Sequence, residues 1–537
     1  MIERGLLPNL AALMQRGFRA VLRSTIPPNS AAAWATFMTG KNPGRHGILR
    51  FQAIRPLPEL GREFRPGAYT FLNSDSIGDR RIWDILGAAG KRVAVMNVPM
   101  TYPPRPLNGI MITGLLTPPG ARDFTYPPDL ADSLEGYQIE QPLAAMGYSE
   151  AADRELLRSS IEILQHQGET ALRLFRRESW DFFFICFTGT DRLQHRLWDH
   201  LSPIQNPKSK IQNLSGDADF FRRNLDRYYG LLDATIGRLM EAAGDGTNCV
   251  ILSDHGFGPA PPLAVYRRPL ARQLGLEAGE GVGGFHSLRA WFERHNILNG
   301  DRLRRLLAGT HLRRLLSRVT RLVLRKEQQA WRSSRAYLVV LHKYIGGIGI
   351  NLAPSDPAYE PFRQSLIARL AEIRDPDSGQ PIVKTIWRRE EIYRGPRLAV
   401  CPDVIFRLDE RYGLAHGDSP GGRLVHAKSF RSQGIHRDDG VLILAGPDVA
   451  HAAPDKSFKI EDVTVTLLYL LEAPIPTDMD GQVIADAIAP DYRQSHAVRF
   501  EQVPEEPVSE MIAEAKWRSP EDEEAVAEQL RHWGYLD

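Results

Sequence analysis

The chain has 537 residues, a formal net charge of +2 and 25% charged residues. That length accommodates one large domain with an insertion or two to four ordinary domains, and nothing in the charge balance argues for a nucleic-acid partner or a strongly acidic one. No apolar run approaches the roughly 18 residues of a membrane-spanning helix, Met1-Ile-Glu-Arg-Gly lacks the apolar stretch of a secretory signal, and Cys186, Cys249 and Cys401 read as buried thiols without CxxC spacing, so a cytoplasmic location is the expectation.

In chain order, the first informative stretch is Thr25-Ile-Pro-Pro-Asn-Ser-Ala-Ala-Ala-Trp-Ala-Thr-Phe-Met-Thr-Gly-Lys-Asn-Pro-Gly-Arg-His-Gly47. The two prolines disfavour helix before the turn, and Ala31 to Met38 is small, apolar and helix-compatible, so Ser30 falls near an N-cap. Free N–H groups and the dipole at a helix start attract anions such as phosphate or sulfate, which makes the Ser30 hydroxyl a candidate nucleophile. Taken alone, the same turn reads as an ordinary capping serine.

Strand candidates follow at Arg92-Val-Ala-Val-Met-Asn, Gly109-Ile-Met-Ile-Thr-Gly, Trp180-Asp-Phe-Phe-Phe-Ile-Cys-Phe, Asn248-Cys-Val-Ile-Leu-Ser and Gly440-Val-Leu-Ile-Leu-Ala, separated by longer helical patterns. Their apolar residues run continuously, as in strands buried on both faces of a mostly parallel α/β sheet with helices on both sides. Ligands of such sheets gather at the carboxyl ends of strands, which directs attention to Asp191 and Asp254. From 259 to 336 the sequence turns Arg- and Leu-rich with helical periodicity, predicting a helical cap inserted into a discontinuous domain of 1–258 and 337–492; residues 493–537 read as an acidic linker and one docked helix. The basic face within Arg302 to Lys326 suits an anionic substrate or peripheral contact with an acidic membrane surface, and equally a solvated cap helix.

Asp191-Arg-Leu-Gln-His195 sets a carboxylate and an imidazole four residues apart, on one face if a helix starts there. Ser253-Asp254-His255-Gly256 brings an acid and an imidazole to a strand end, with a glycine that permits close approach. His436 lies in Gly434-Ile-His-Arg-Asp-Asp-Gly440, before another apolar strand. Oxygen and nitrogen donors at several strand ends, with no thiolate, favour a catalytic Zn or Mn site over a structural metal.

Over most of its length the chain resembles the alkaline phosphatase superfamily, in its type I phosphodiesterase/nucleotide pyrophosphatase branch. The resemblance rests on the Ser30 turn with Met38-Thr-Gly-Lys-Asn-Pro-Gly-Arg-His-Gly47, Trp83-Asp-Ile-Leu with Gly90-Lys-Arg-Val, Asn97-Val-Pro-Met-Thr-Tyr-Pro-Pro, Asp191 with His195, Ser253-Asp-His-Gly, Gly434-Ile-His-Arg-Asp-Asp-Gly, and Ile460-Glu-Asp-Val-Thr-Val-Thr-Leu-Leu with Asp478-Met-Asp-Gly481. It implies an alkaline phosphatase-like fold and two divalent metal ions, Zn or Mn, one held by Asp191, His195 and His436 and the other by Asp254, His255 and Ser30. It further implies hydrolysis of a small phosphate monoester or diester through a covalent phospho-Ser30 intermediate.

The family's first strand supplies a further Asp ligand. Met1-Ile-Glu-Arg-Gly-Leu-Leu-Pro-Asn-Leu resembles the helix after that strand, so the expectation is that the strand lies upstream of Met1. Nucleotide pyrophosphatases also place an Asn just past the position of His46-Gly47, where this chain reads Ile48-Leu-Arg-Phe-Gln. Lys41, Arg45 and Arg50 are candidate replacements, with Asn29 a further phosphate-holding candidate. Two other uses of the scaffold stand beside hydrolysis: capture of the same intermediate by an alcohol, in a phospho-group transferase or mutase, and a binding or regulatory protein without turnover. A sulfatase is disfavoured because Asn29-Ser-Ala-Ala-Ala does not supply the CxPxR-like context of formylglycine.

Overall fold

The apolar runs that alternate with helices fold into strands whose ends converge on one site. The computed structural model describes residues 1–53, 71–140, 149–201, 217–276, 334–415, 419–427, 433–504, 515 and 517–532. In chain order the first elements are α1 (Pro8–Arg16), β1 (Phe18–Arg23), α2 (Ser30–Thr39), α3 (Pro43–His46), α4 (Ile82–Ala88), β2 (Val93–Val98), β3 (Gly109–Thr113) and β4 (Thr125–Tyr126). There follow α5 (Glu150–Arg177), β5 (Phe182–Ile185), α6 (Gly189–Leu201), α7 (Asp217–Ala243), β6 (Cys249–Leu252), β7 (Gly256–Pro259) and β8 (Leu263–Tyr266). Later strands are β9 (Ala336–His342), β10 (Ile345–Ile350), β11 (Val383–Arg388), β12 (Val404–Leu408), β13 (Tyr412–Ala415), β14 (Val425–Ala427), β15 (Gly434–Arg437), β16 (Asp439–Ala445) and β17 (Ser457–Lys459).

All five predicted apolar runs are strands, within a residue or two of their expected ends. β2 is buried at every position, as a strand covered on both faces must be. The single mostly parallel sheet, however, is two four-stranded sheets among the described residues, β4-β3-β2-β5 and β17-β1-β16-β6. The first is parallel at β2–β3 and β2–β5. In the second, β16 runs antiparallel to both β1 and β6. The reason is physical: a continuous apolar run reports burial on both faces and carries no information about the direction of the neighbouring strand.

A separate antiparallel sheet, β11-β12-β10-β9, begins at the end of the stretch expected to form a cap. Of the range 259–336, residues 259–276 and 334–336 are described: β8 pairs with β13 and β14, and a short helix, Arg267–Gln273, follows it. The basic stretch from Arg302 to Lys326 lies outside the described residues. Helix Pro520–His532 docks on the core through the buried Val526, Ala527 and Leu530.

Three local features aim the site. α2 is wholly buried and packs on the helix Ile460–Leu470, where the Thr464 hydroxyl donates to the Phe37 carbonyl. The short β7–β15 ribbon sets His436 across from Phe257, close to His255. Gly434 lets that ribbon approach α6, since a Cβ there would stand 2.4 Å from the Gln194 carbonyl oxygen.

Candidate active site and metal centre

The turn into α2 is capped by Asn29, whose side-chain oxygen accepts the Ala31 N–H at 3.0 Å. Ser30 is therefore the first helical residue, 4% exposed, with its Oγ 3.1 Å from His255 Nε2. The other nitrogen of that ring, Nδ1, faces the Gly256 carbonyl at 3.2 Å. A carbonyl only accepts, so Nδ1 carries the proton and Nε2 is left as the acceptor facing the Ser30 hydroxyl. Asp254 Oδ2 stands 3.3 Å from the same Nε2.

Asp191 and His195 lie in the first turns of α6, on one face as their spacing predicts. His195 Nδ1 faces the Gly434 carbonyl at 2.9 Å, and His436 Nδ1 faces the Pro28 carbonyl, also at 2.9 Å. Both rings thus carry their protons on Nδ1, and their bare Nε2 atoms oppose each other at 2.9 Å. Asp191 Oδ1 joins them, 3.0 Å from His436 Nε2 and 3.5 Å from His195 Nε2. Three electron-pair donors converge with no hydrogen between them, an arrangement that a cation resolves; these residues fit a divalent metal.

The remaining chemistry agrees. The buried Arg192 holds the other oxygen of Asp191 at 2.5 Å, which turns Oδ1 toward the imidazoles. Burial works to raise the Asp191 pKa, yet His195, His436 and Arg192 hold it well below the usual carboxylate range. Burial, with His255 beside it, pushes His436 down to about 3, and burial lowers His195 as well, so both rings are neutral at neutral pH. Asp254 is raised, first by burial and further by the charge of Asp191, with His255 opposing. The two ligand groups adjoin: His255 Nε2 is 3.9 Å from Asp191 Oδ1, and the His255 and His436 rings stack with centroids 3.5 Å apart.

Ser30, Asp191, His195, Asp254, His255 and His436 are therefore brought together from four separate stretches of chain. Lys41, Arg45, Arg50 and Asn29 are placed otherwise. Lys41 is buried between Asp79 and Asp478, Arg45 bonds Asp480 at 3.2 Å, and Arg50 donates to the Val340 carbonyl at 2.9 Å. Asn29 is a helix cap. Their charges and polarity are engaged in holding the fold, and sequence alone does not distinguish a basic residue facing a ligand from one facing a carboxylate.

Two site residues escape the sequence reading. Phe257 packs its ring edgewise on His195 at 4.8 Å and on His436 at 5.1 Å, walling the imidazoles on one side. His342, at the end of β9, stacks on His436 with ring centroids 5.4 Å apart. Phe257 could have been found from its place in Ser253-Asp-His-Gly-Phe; His342 carries no local signal beyond being a histidine at a strand end.

The family model for type I phosphodiesterase / nucleotide pyrophosphatase matches residues 1–441. No curated protein sequence matches the chain. Similar solved structures include human ectonucleotide pyrophosphatase / phosphodiesterase 5, at 12% identity and TM-score 0.48, covering 90% of this chain and 94% of that one. Another is phosphonoacetate hydrolase from Sinorhizobium meliloti, at 15% identity and TM-score 0.46, covering 88% and 91%. With the family model spanning the Ser30 turn, Asp191, Asp254, His195, His255 and His436, the chain belongs to the type I phosphodiesterase / nucleotide pyrophosphatase family.

Proposed function

We propose that the chain is a metal-dependent hydrolase of small phosphate esters in which Ser30 takes up the phosphoryl group. The observation that carries this reading is the convergence of the bare Nε2 atoms of His195 and His436 on Asp191 Oδ1, next to a serine at a helix start. Asp191, His195 and His436 are the residues for one cation; Asp254, His255 and Ser30 are the residues for a second. Zn or Mn bound there neutralises phosphate charge and favours the deprotonated serine.

The chain's own groups prepare the rest. His255 Nε2 stands 3.1 Å from Ser30 Oγ, so a cation held there by His255 and Asp254 would lie against the hydroxyl oxygen, leaving its proton to water and an Oγ lone pair for phosphorus. The N-terminal turn of α2 adds the positive end of its dipole beside the phosphate oxygens. Displacement forms the Ser30 Oγ–P bond and breaks the bond from phosphorus to the ester oxygen, which leaves as the alcohol after protonation. Water then cleaves the Oγ–P bond and restores the hydroxyl. In-line attack requires a fixed nucleophile, and burial of every residue of α2 supplies it.

The test uses the purified protein loaded with Zn or Mn against aryl phosphomonoesters and phosphodiesters, beside Ser30→Ala. The expected result is metal-dependent release of the aryl alcohol by the wild type and its loss in the variant, with phospho-Ser30 trapped by acid quench. Equal rates in the two proteins overturn the assignment.

A further inference from the structure

The β9–β10 hairpin reaches into the site from a sheet that contributes none of the six predicted ligands, and its tip is His342-Lys343-Tyr344. The tip is fixed on several sides. Leu414 N–H donates to the Lys343 carbonyl at 2.5 Å, and Leu408 N–H to the Tyr344 carbonyl at 2.9 Å. Arg50 holds the Val340 carbonyl two residues earlier. The ring of Tyr344 stands edgewise against His342 at 4.7 Å, and the opposite neighbour is His436. His342 is thereby held as the third imidazole in a row with His436 and His255.

A half-buried histidine so firmly placed ought to have both nitrogens satisfied. Instead, among the described residues His342 Nδ1 is closed off from solvent and has no hydrogen-bond partner. Arg437 and Lys343 are the cationic side chains that bear on the ring, beside the imidazoles of His436 and His255. An orphaned polar atom in basic surroundings, beside a phosphate-handling site, suits an anion.

We propose that His342 is a substrate-contacting residue, whose Nδ1–H donates a hydrogen bond to a phosphoryl oxygen of the ester bound between Ser30 and His436. The inference rests on the phosphoester reading of the site and adds to it a contact supplied by the β9–β10 hairpin. The bond satisfies the orphaned nitrogen, and its strength is that of a hydrogen bond to a charged acceptor.

The experiment compares wild type, His342→Ala and His342→Asn, each metal-loaded, by KM and kcat for an aryl phosphate ester and by competitive inhibition with orthophosphate. Asparagine can set an amide N–H near the position of Nδ1. Expected are a weakening of orthophosphate binding and a rise in KM of about tenfold or more in His342→Ala, recovery to within a few-fold of wild type in His342→Asn, and unchanged metal content in all three. Unchanged orthophosphate binding in His342→Ala overturns the inference, as does a His342→Asn variant no better than alanine. Loss of metal in step with loss of binding also overturns it, since His342 would then act only by bracing His436. A wild type that binds orthophosphate in a His342-dependent way yet hydrolyses no ester would defeat the proposed function alone; an active enzyme indifferent to His342 would defeat this inference alone.

Discussion

His195 and His436 face each other Nε2 to Nε2 at 2.9 Å, while each ring gives its Nδ1 proton to a backbone carbonyl. Two lone pairs at that distance repel unless a positive charge lies between them or beside them. The carbonyls of Gly434 and Pro28 thus decide the tautomer and hence the ligand atom, a role no side-chain motif announces.

His195→Ala and His436→Ala should each weaken Zn or Mn binding by more than about 100-fold, because each removes a ligand outright rather than an outer support. Titration calorimetry on chelator-stripped protein measures it. The double variant should lose little more than either single one, since the two donors left in a single variant already cannot recreate the site. Full metal affinity in both single variants would refute the centre.

Ser30→Ala should lower kcat by on the order of 10³-fold or more while the cation at His195 and His436 is retained. His255→Ala should cost nearly as much, and the two losses should not multiply in the double variant, because both act on one hydroxyl 3.1 Å from one nitrogen. Single-turnover kinetics provides the comparison. Additive losses would mean that His255 serves some other step.

The strands and the acid–imidazole pairs were legible because both depend on local pattern: apolar runs mark two-faced burial, and Asp191 with His195 at a helix start and Asp254 with His255 at a strand end are set by short spacing. The sequence did not carry sheet direction, which β16 reverses by pairing antiparallel with both neighbours. Nor did it separate ligand-facing cations from structural ones. Lys41 and Arg45 lie in the same signature as Ser30, and only the long-range partners Asp79, Asp478 and Asp480 reveal what they do. His342 comes from another sheet altogether, so its approach to His436 is a fact of tertiary packing.

Lys41 makes the distinction testable. Its ammonium is 2.6 Å from Asp79 and also pairs with Asp478, with the lysine and Asp79 side chains 8% and 1% exposed. Lys41→Met leaves the buried Asp79 and the partly buried Asp478 facing an apolar chain, with Arg397, among the described residues, still paired to Asp79. The expected loss is about 3–5 kcal/mol of stability, with KM for the ester unchanged in the folded protein. A raised KM without loss of stability would restore the phosphate-binding expectation.

His46 predicts how the fold responds to acid. Its Nδ1 accepts the Ile48 N–H at 3.0 Å, so Nε2 bears the proton and donates it to the Thr36 hydroxyl at 2.9 Å. A second proton would have to displace the Ile48 bond in a buried place, and burial accordingly pushes the pKa from 6.5 down to about 3, with Asp79 opposing. Because the folded value is the lower one, the unfolded chain binds the extra proton first. The contribution is therefore fully present above pH 6.5 and is lost progressively as the pH falls toward 3, amounting to about 2 kcal/mol at pH 5. His46→Asn keeps an acceptor for Ile48 without a titrating ring. Its stability should fall less steeply than that of the wild type between pH 6.5 and 4, as measured by urea unfolding, and the gap between the two proteins should narrow toward acid. Parallel curves across that range would show that His46 does not remain neutral in the folded state.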